Sequence, residues 1–134
     1  MPSMDGAGER MKPVLDMTVV EELLSLCDDG DPELLLDLIQ LYLDDSPAKI
    51  QGLQQGIASG DFEMVERAAH ALKGSSGNLG ARLLQDTCEQ LQLTARHQDK
   101  TAIRQLVTRA HVEFVDVCAE LQRLQRRYAT SSQG

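Results

Sequence analysis

From Lys100 onward, apolar residues return at alternating steps of four and three: Ile103, Val107, Ala110, Phe114, Val117, Leu121 and Leu124. A strand would need every second position apolar, whereas this spacing is the seam of a helix packed lengthwise against other helices. Three earlier segments share the rhythm. Leu35, Leu38, Ile39, Tyr42, Ile50, Leu53 and Ile57 form one stripe. Phe62, Val65, Ala69, Leu72, Ser76 and Leu79 form a second, and Leu84, Cys88, Leu91 and Ala95 a third. No segment alternates like a strand, so the chain reads as all-α.

Helix punctuation separates these stripes. A short first helix begins near Thr18, where Thr18 and Glu21 have capping-box spacing, and ends by Cys27. Asp28-Asp29-Gly30-Asp31-Pro32 breaks the chain, with Asp31 as N-cap and Pro32 as first helical residue. Pro47 lies inside the second helix and is expected to kink or divide it. Gly60 closes that helix, Asp61 caps the third, Gly80 ends it, and Asp99 caps the last. Four long amphipathic helices on short turns predict an antiparallel up-down-up-down four-helix bundle, with the first short helix as a lid. The bundle spans 13–128, between a flexible leader, 1–12, and a flexible tail, 129–134, both rich in small and polar residues.

Composition narrows the function. Aromatics make up only 3% of the 134 residues, so aliphatic side chains must supply most of the core. A formal charge of -8 argues against nucleic acid and anionic membrane surfaces. No apolar run approaches the ~20 residues that span a bilayer, and no signal-peptide core is present. Cys27, Cys88 and Cys118 lack metal-ligand spacing and read as buried, reduced thiols, which fits a cytoplasmic location.

One segment breaks helical rules: Ala68-Ala69-His70-Ala71-Leu72-Lys73-Gly74-Ser75-Ser76-Gly77-Asn78-Leu79-Gly80. Each glycine within a helix costs about 1 kcal/mol relative to alanine, so Gly74 and Gly77 together give up roughly 2 kcal/mol. Residues three, four and seven apart share a helix face, which places Glu66, His70, Lys73, Gly74 and Gly77 on a stripe beside the core stripe. His70 therefore points to solvent, with a cation and two missing side chains beside it. A phosphate-binding loop would need a preceding strand and a Gly-Lys-Ser/Thr sequence, and neither is found. His97 and His111 read as ordinary surface or core histidines.

The run Ala69-His70-Ala71-Leu72-Lys73-Gly74-Ser75-Ser76-Gly77-Asn78-Leu79-Gly80-Ala81 resembles the signature of histidine-containing phosphotransfer (HPt) domains of two-component phosphorelays. The likeness extends from about Met17 to Leu124. It implies that His70 accepts a phosphoryl group on Nε2, that Lys73 offsets its charge, and that Gly74 and Gly77 let a partner approach. Gln92 stands at the spacing of a glutamine that hydrogen-bonds near the histidine in some members. Arg96, one turn later, is expected to help bind the phosphoryl group or the partner. The implied partners are receiver domains of hybrid histidine kinases and response regulators, which would bring the Mg²⁺. The chain itself would be a monomeric carrier rather than an enzyme, with no cofactor or metal of its own and no nucleotide-binding domain. Phosphoryl transfer needs in-line placement and charge neutralisation more than covalent help, which suits such a division of labour.

Two other classes are open to a helical bundle. One is an adaptor that binds partners without phosphorylation, against which His70, Lys73 and both glycines count. The other is a metal or haem bundle, which needs inward-facing ligands such as a Glu-x-x-His pair. Glu66 and His70 are four apart on the outer stripe, and Thr108 stands three before His111.

Overall fold

The computed structural model describes residues 13–26 and 31–133. The leader 1–12, Cys27 and the break at Asp28-Asp29-Gly30 lie outside the described residues. Among the described residues five helices follow in order: α1 (Met17–Ser25), α2 (Glu33–Ser59), α3 (Phe62–Asn78), α4 (Arg82–Arg96) and α5 (Lys100–Gln133). Packing runs α2 on α3, α3 on α4, α4 on α5 and α5 back on α2. Turns of a few residues force α2 to α5 into alternating directions, which closes the antiparallel bundle the periodicity predicts.

The stripes read from the sequence form the core. Leu35, Ile39, Leu53, Val65, Ala69, Leu72, Leu84, Cys88, Leu91, Ile103, Ala110 and Leu121 are wholly buried. Ser76, polar on an apolar stripe, is buried because its hydroxyl meets the Tyr42 hydroxyl across the α2–α3 seam at 2.9 Å. Tyr42 in turn packs against Phe114 of α5, ring centroids 6.1 Å apart. Two of the four aromatic residues thus meet where α2, α3 and α5 come together.

Several boundaries differ from the sequence reading. The cap of α1 is Asp16 rather than Thr18: its carboxylate accepts the Thr18 N–H at 3.0 Å, so the helix starts one residue earlier. The cap position of α2 falls on Pro32 rather than Asp31, so Pro32 is not the first helical residue, although the Asp31 carboxylate still accepts the Glu33 N–H at 3.0 Å. Pro47 does not divide α2, which runs unbroken through it. Buried Tyr42, Ile50 and Leu53 hold the segments on either side against the same core. At the other end, α5 continues beyond the boundary placed after Tyr128 as far as Gln133. No glycine or proline interrupts it before Gly134.

The connections put the α3–α4 pair in place. Gly60, at φ +74°, ends α2, and Asp61 caps α3 through Met64 N at 3.0 Å. Gly80, at φ +81°, turns the chain into α4, and its carbonyl accepts the Asp16 N–H at 2.7 Å. The segment before α1 is thereby pinned over the α3–α4 turn, with Leu15 and Val20 buried beneath it. Asp99 caps α5, as its sequence position suggests, through Ala102 N at 3.1 Å. No helix among the described residues is long and apolar enough to cross a membrane.

Candidate functional site

Helices α3 and α4 face each other in antiparallel register, and side chains meet across the seam in matched steps. Glu66 Oε1 accepts from Arg96 Nε at 2.7 Å. Four residues further along α3 and four back along α4, His70 Nδ1 lies 3.1 Å from Gln92 Nε2. Seven residues beyond His70 and seven before Gln92, a β-carbon on Gly77 would strike the Gln85 carboxamide. The ladder follows from helix geometry: residues spaced by four or seven stay on one face of each helix.

His70 is exposed, whereas Gln92 is only 8% exposed, so the ring projects outward from a carboxamide fixed in the wall. The Gln92 contact occupies Nδ1, while Nε2 has no partner among the described residues. With the Gln92 N–H donating, Nδ1 accepts and the ring proton sits on Nε2. Turning the carboxamide over presents Oε1 instead, which accepts a proton from Nδ1 and leaves Nε2 with a free electron pair. One residue therefore holds the ring and decides which nitrogen is nucleophilic.

Around this ring the other candidates separate. Lys73 is half-buried and forms no ion pair among the described residues. Its charge reaches the Cys88 thiol, where it opposes burial and the Glu113 carboxylate, which together push that thiol up to about 12. Cys88 is consequently an inert core thiol, as expected, while Cys118 is half-buried. A β-carbon on Gly74 would meet nothing within 4 Å, so this position is open. Gly77 is different: its space is partly covered by Gln85, a side chain with a movable end. Arg96 lies on the expected face but is engaged by Glu66, a partner the sequence reading did not identify.

Beside the Gly74 opening, a cleft of about 150 Å³ lies between α2 and α3. Leu38, Leu41, Tyr42 and Leu79 form its apolar lining, with Lys49 and Asn78 among its polar residues. His97 caps the end of α4, and His111 Nδ1 lies 3.2 Å from Gln54 Nε2 on the α2–α5 side. No group of three His, Cys, Asp or Glu residues able to hold a metal ion occurs among the described residues.

Among the described residues two exposed histidines have Nδ1 beside a glutamine of a neighbouring helix, but the glutamine is exposed at His111 and buried at His70, where Gly74 also leaves the adjoining surface open. A histidine so held on the wall of an antiparallel helical bundle fits a histidine phosphotransfer module. The chain belongs to the Hpt domain family, whose model matches residues 37–128. It is similar to multistep phosphorelay regulator 1 of Schizosaccharomyces pombe, 30% identical over 81 residues, which are 60% of this chain. The match spans 28% of that protein's length. Histidine-containing phosphotransfer protein 5 of Arabidopsis thaliana is 26% identical over 106 residues, covering 77% of this chain and 68% of the plant protein. Among solved structures, histidine-containing phosphotransfer protein B from Pseudomonas aeruginosa PAO1 superposes with a TM-score of 0.78 at 28% identity. That match covers 87% of this chain and 97% of the bacterial one.

Proposed function

We propose that this chain relays phosphoryl groups between aspartates of receiver domains, with His70 as the carrier residue. The observation that carries the reading is the His70–Gln92 pair: Nδ1 held at 3.1 Å by a buried carboxamide, and Nε2 without a partner among the described residues on an exposed ring. With Gln92 Oε1 accepting from Nδ1–H, the Nε2 electron pair attacks the phosphorus of a partner's aspartyl phosphate. The N–P bond forms as the P–O bond breaks, and the partner's carboxylate leaves with the electron pair. The reverse displacement passes the group to another aspartate. Each exchange leaves the proton on Nδ1, so no separate acid or base is required of this chain.

The remaining residues serve placement and charge. Lys73, one turn from His70 and in no ion pair among the described residues, offsets the phosphoryl charge. Gly74 keeps the adjacent surface open for the partner's loops, and Gly77 leaves only the displaceable end of Gln85 in their way. Mg²⁺ and the acidic residues that hold it belong to the receiver partner. In this reading the carrier works as a cytoplasmic monomer with no cofactor of its own, as a phosphotransfer intermediate rather than an enzyme.

Incubation of the purified chain with a phosphorylated receiver domain tests this reading. The expected result is acid-labile label on His70, lost in His70→Gln while far-UV circular dichroism is unchanged. Label surviving on another residue of that variant refutes the assignment. Binding to the receiver with no transfer of label establishes the adaptor reading in its place.

A further inference from the structure

The Glu66–Arg96 pair is unusual in its location. Glu66 lies one helical turn before His70 on the same stripe, so its carboxylate stands about 6 Å along the helix from where a phosphoryl group would be carried. A carboxylate there repels that group. Arg96 opposes the repulsion, yet it is tied to Glu66 through Nε alone, at 2.7 Å. Both terminal amino groups of the guanidinium have no hydrogen-bond partner among the described residues. Within four residues of His70 along α3 and of Gln92 along α4, the charged residues are Glu66, Arg67, Lys73, Glu89 and Arg96. Of these, Glu66 and Arg96 alone form an ion pair with each other.

We infer that Glu66 is a positioning residue that sets how tightly His70 holds its phosphoryl group. The inference deepens the relay reading above and rests on it. A surface offering only Lys73 and Arg96 would favour the phosphorylated state and resist giving the group up. With Glu66 present, a phosphoryl oxygen competes with a carboxylate for one guanidinium, which is a strong donor to either anion. Retention on His70 is weakened on two counts: the cation is shared, and a like charge stands nearby. A carrier that must both accept and donate needs such a balance.

The test uses phosphoramidate, which labels an accessible imidazole without any receiver. The histidine nitrogen displaces ammonia from phosphorus, breaking one P–N bond and forming another. Phosphorus-31 NMR then follows ionisation of the phosphoryl group with pH in the intact chain. Glu66→Gln is expected to move that ionisation to lower pH and Arg96→Gln to higher pH. Glu66→Asp, which keeps the charge, should track the native chain. In equilibrium with a phosphorylated receiver, Glu66→Gln should shift the phosphoryl distribution about twofold towards His70, the size expected for removing one neighbouring like charge at helical spacing. Native-like titration of Glu66→Gln, or identical behaviour of the Asp and Gln variants, overturns the inference. The expected NMR shifts without any exchange with receivers would uphold the role of Glu66 and sink the relay reading instead.

Discussion

At the scale of single residues, the chemistry turns on a surface imidazole whose orientation is set from inside the bundle. Gln92 is the residue that couples the two, because its carboxamide is buried and His70 Nδ1 is its partner. A neutral hydrogen bond contributes about 1 kcal/mol, so Gln92→Leu should slow phosphoryl transfer roughly fivefold. Rapid-quench kinetics measure this, and nitrogen-15 NMR of the ring reports the accompanying change in tautomer. An unchanged rate and tautomer would remove Gln92 from the mechanism. His70 and Lys73 were legible from the sequence, since helical spacing alone puts them on one stripe, whereas Gln92 was named only through the family resemblance. The Glu66–Arg96 pair was not, because it depends on the register between two helices and joins residues thirty apart in the chain.

At the scale of helices, two kinds of glycine have opposite meanings. Gly74 lies in an exposed part of α3 with nothing near its missing side chain. Gly56 of α2 lies where a β-carbon would meet Val65 Cγ2 at 2.6 Å and the Asp61 carbonyl at 3.0 Å. One turn earlier, a β-carbon on Gly52 would stand 3.2 Å from the Ala68 β-carbon, so α2 and α3 approach closely along this edge. Gly74→Ala should therefore raise stability by about 1 kcal/mol through helix propensity while impeding the partner. Gly56→Ala should lower it by about 1–3 kcal/mol through overpacking. Urea midpoints separate the two cases, and equal signs would contradict this division. Sequence spacing exposed the anomaly at Gly74 and Gly77, but the close approach at Gly52 and Gly56 emerges only when α2 is laid on α3. The cover that Gln85 gives Gly77 is likewise a property of the α3–α4 register.

At the scale of the whole molecule, the carboxylates of this acidic chain do not contribute alike to its stability. Glu113 of α5 accepts the Thr87 hydroxyl of α4 at 2.5 Å, and burial raises its pKa above the usual carboxylate value. The native state thus binds this proton more tightly than the unfolded chain does. Stability is then lost as pH rises from the ordinary glutamate pKa through the raised native one, and the cost persists at neutral pH. Asp16 has the opposite sign: the Thr18 N–H lowers its pKa, so its contribution is present above the ordinary aspartate value and fades in acid. Glu113→Gln keeps a group able to accept from Thr87 and removes the charge. It should raise the melting temperature at pH 7 and flatten the stability profile just above the ordinary glutamate pKa. A steeper profile in this variant would reverse the assignment.

The order of polar and apolar residues along the chain determined the helices, their core faces and most of their caps, because these depend on neighbours within a turn or two. It also determined that His70 faces outward beside a cation and missing side chains. Only the tertiary structure decided which residues meet across the seams: Gln92 on His70, Arg96 on Glu66, Gln85 over Gly77, Tyr42 on Ser76. Such pairings follow from the register in which separate helices bury their apolar stripes together. Register is a property of the assembled core that no single helix contains.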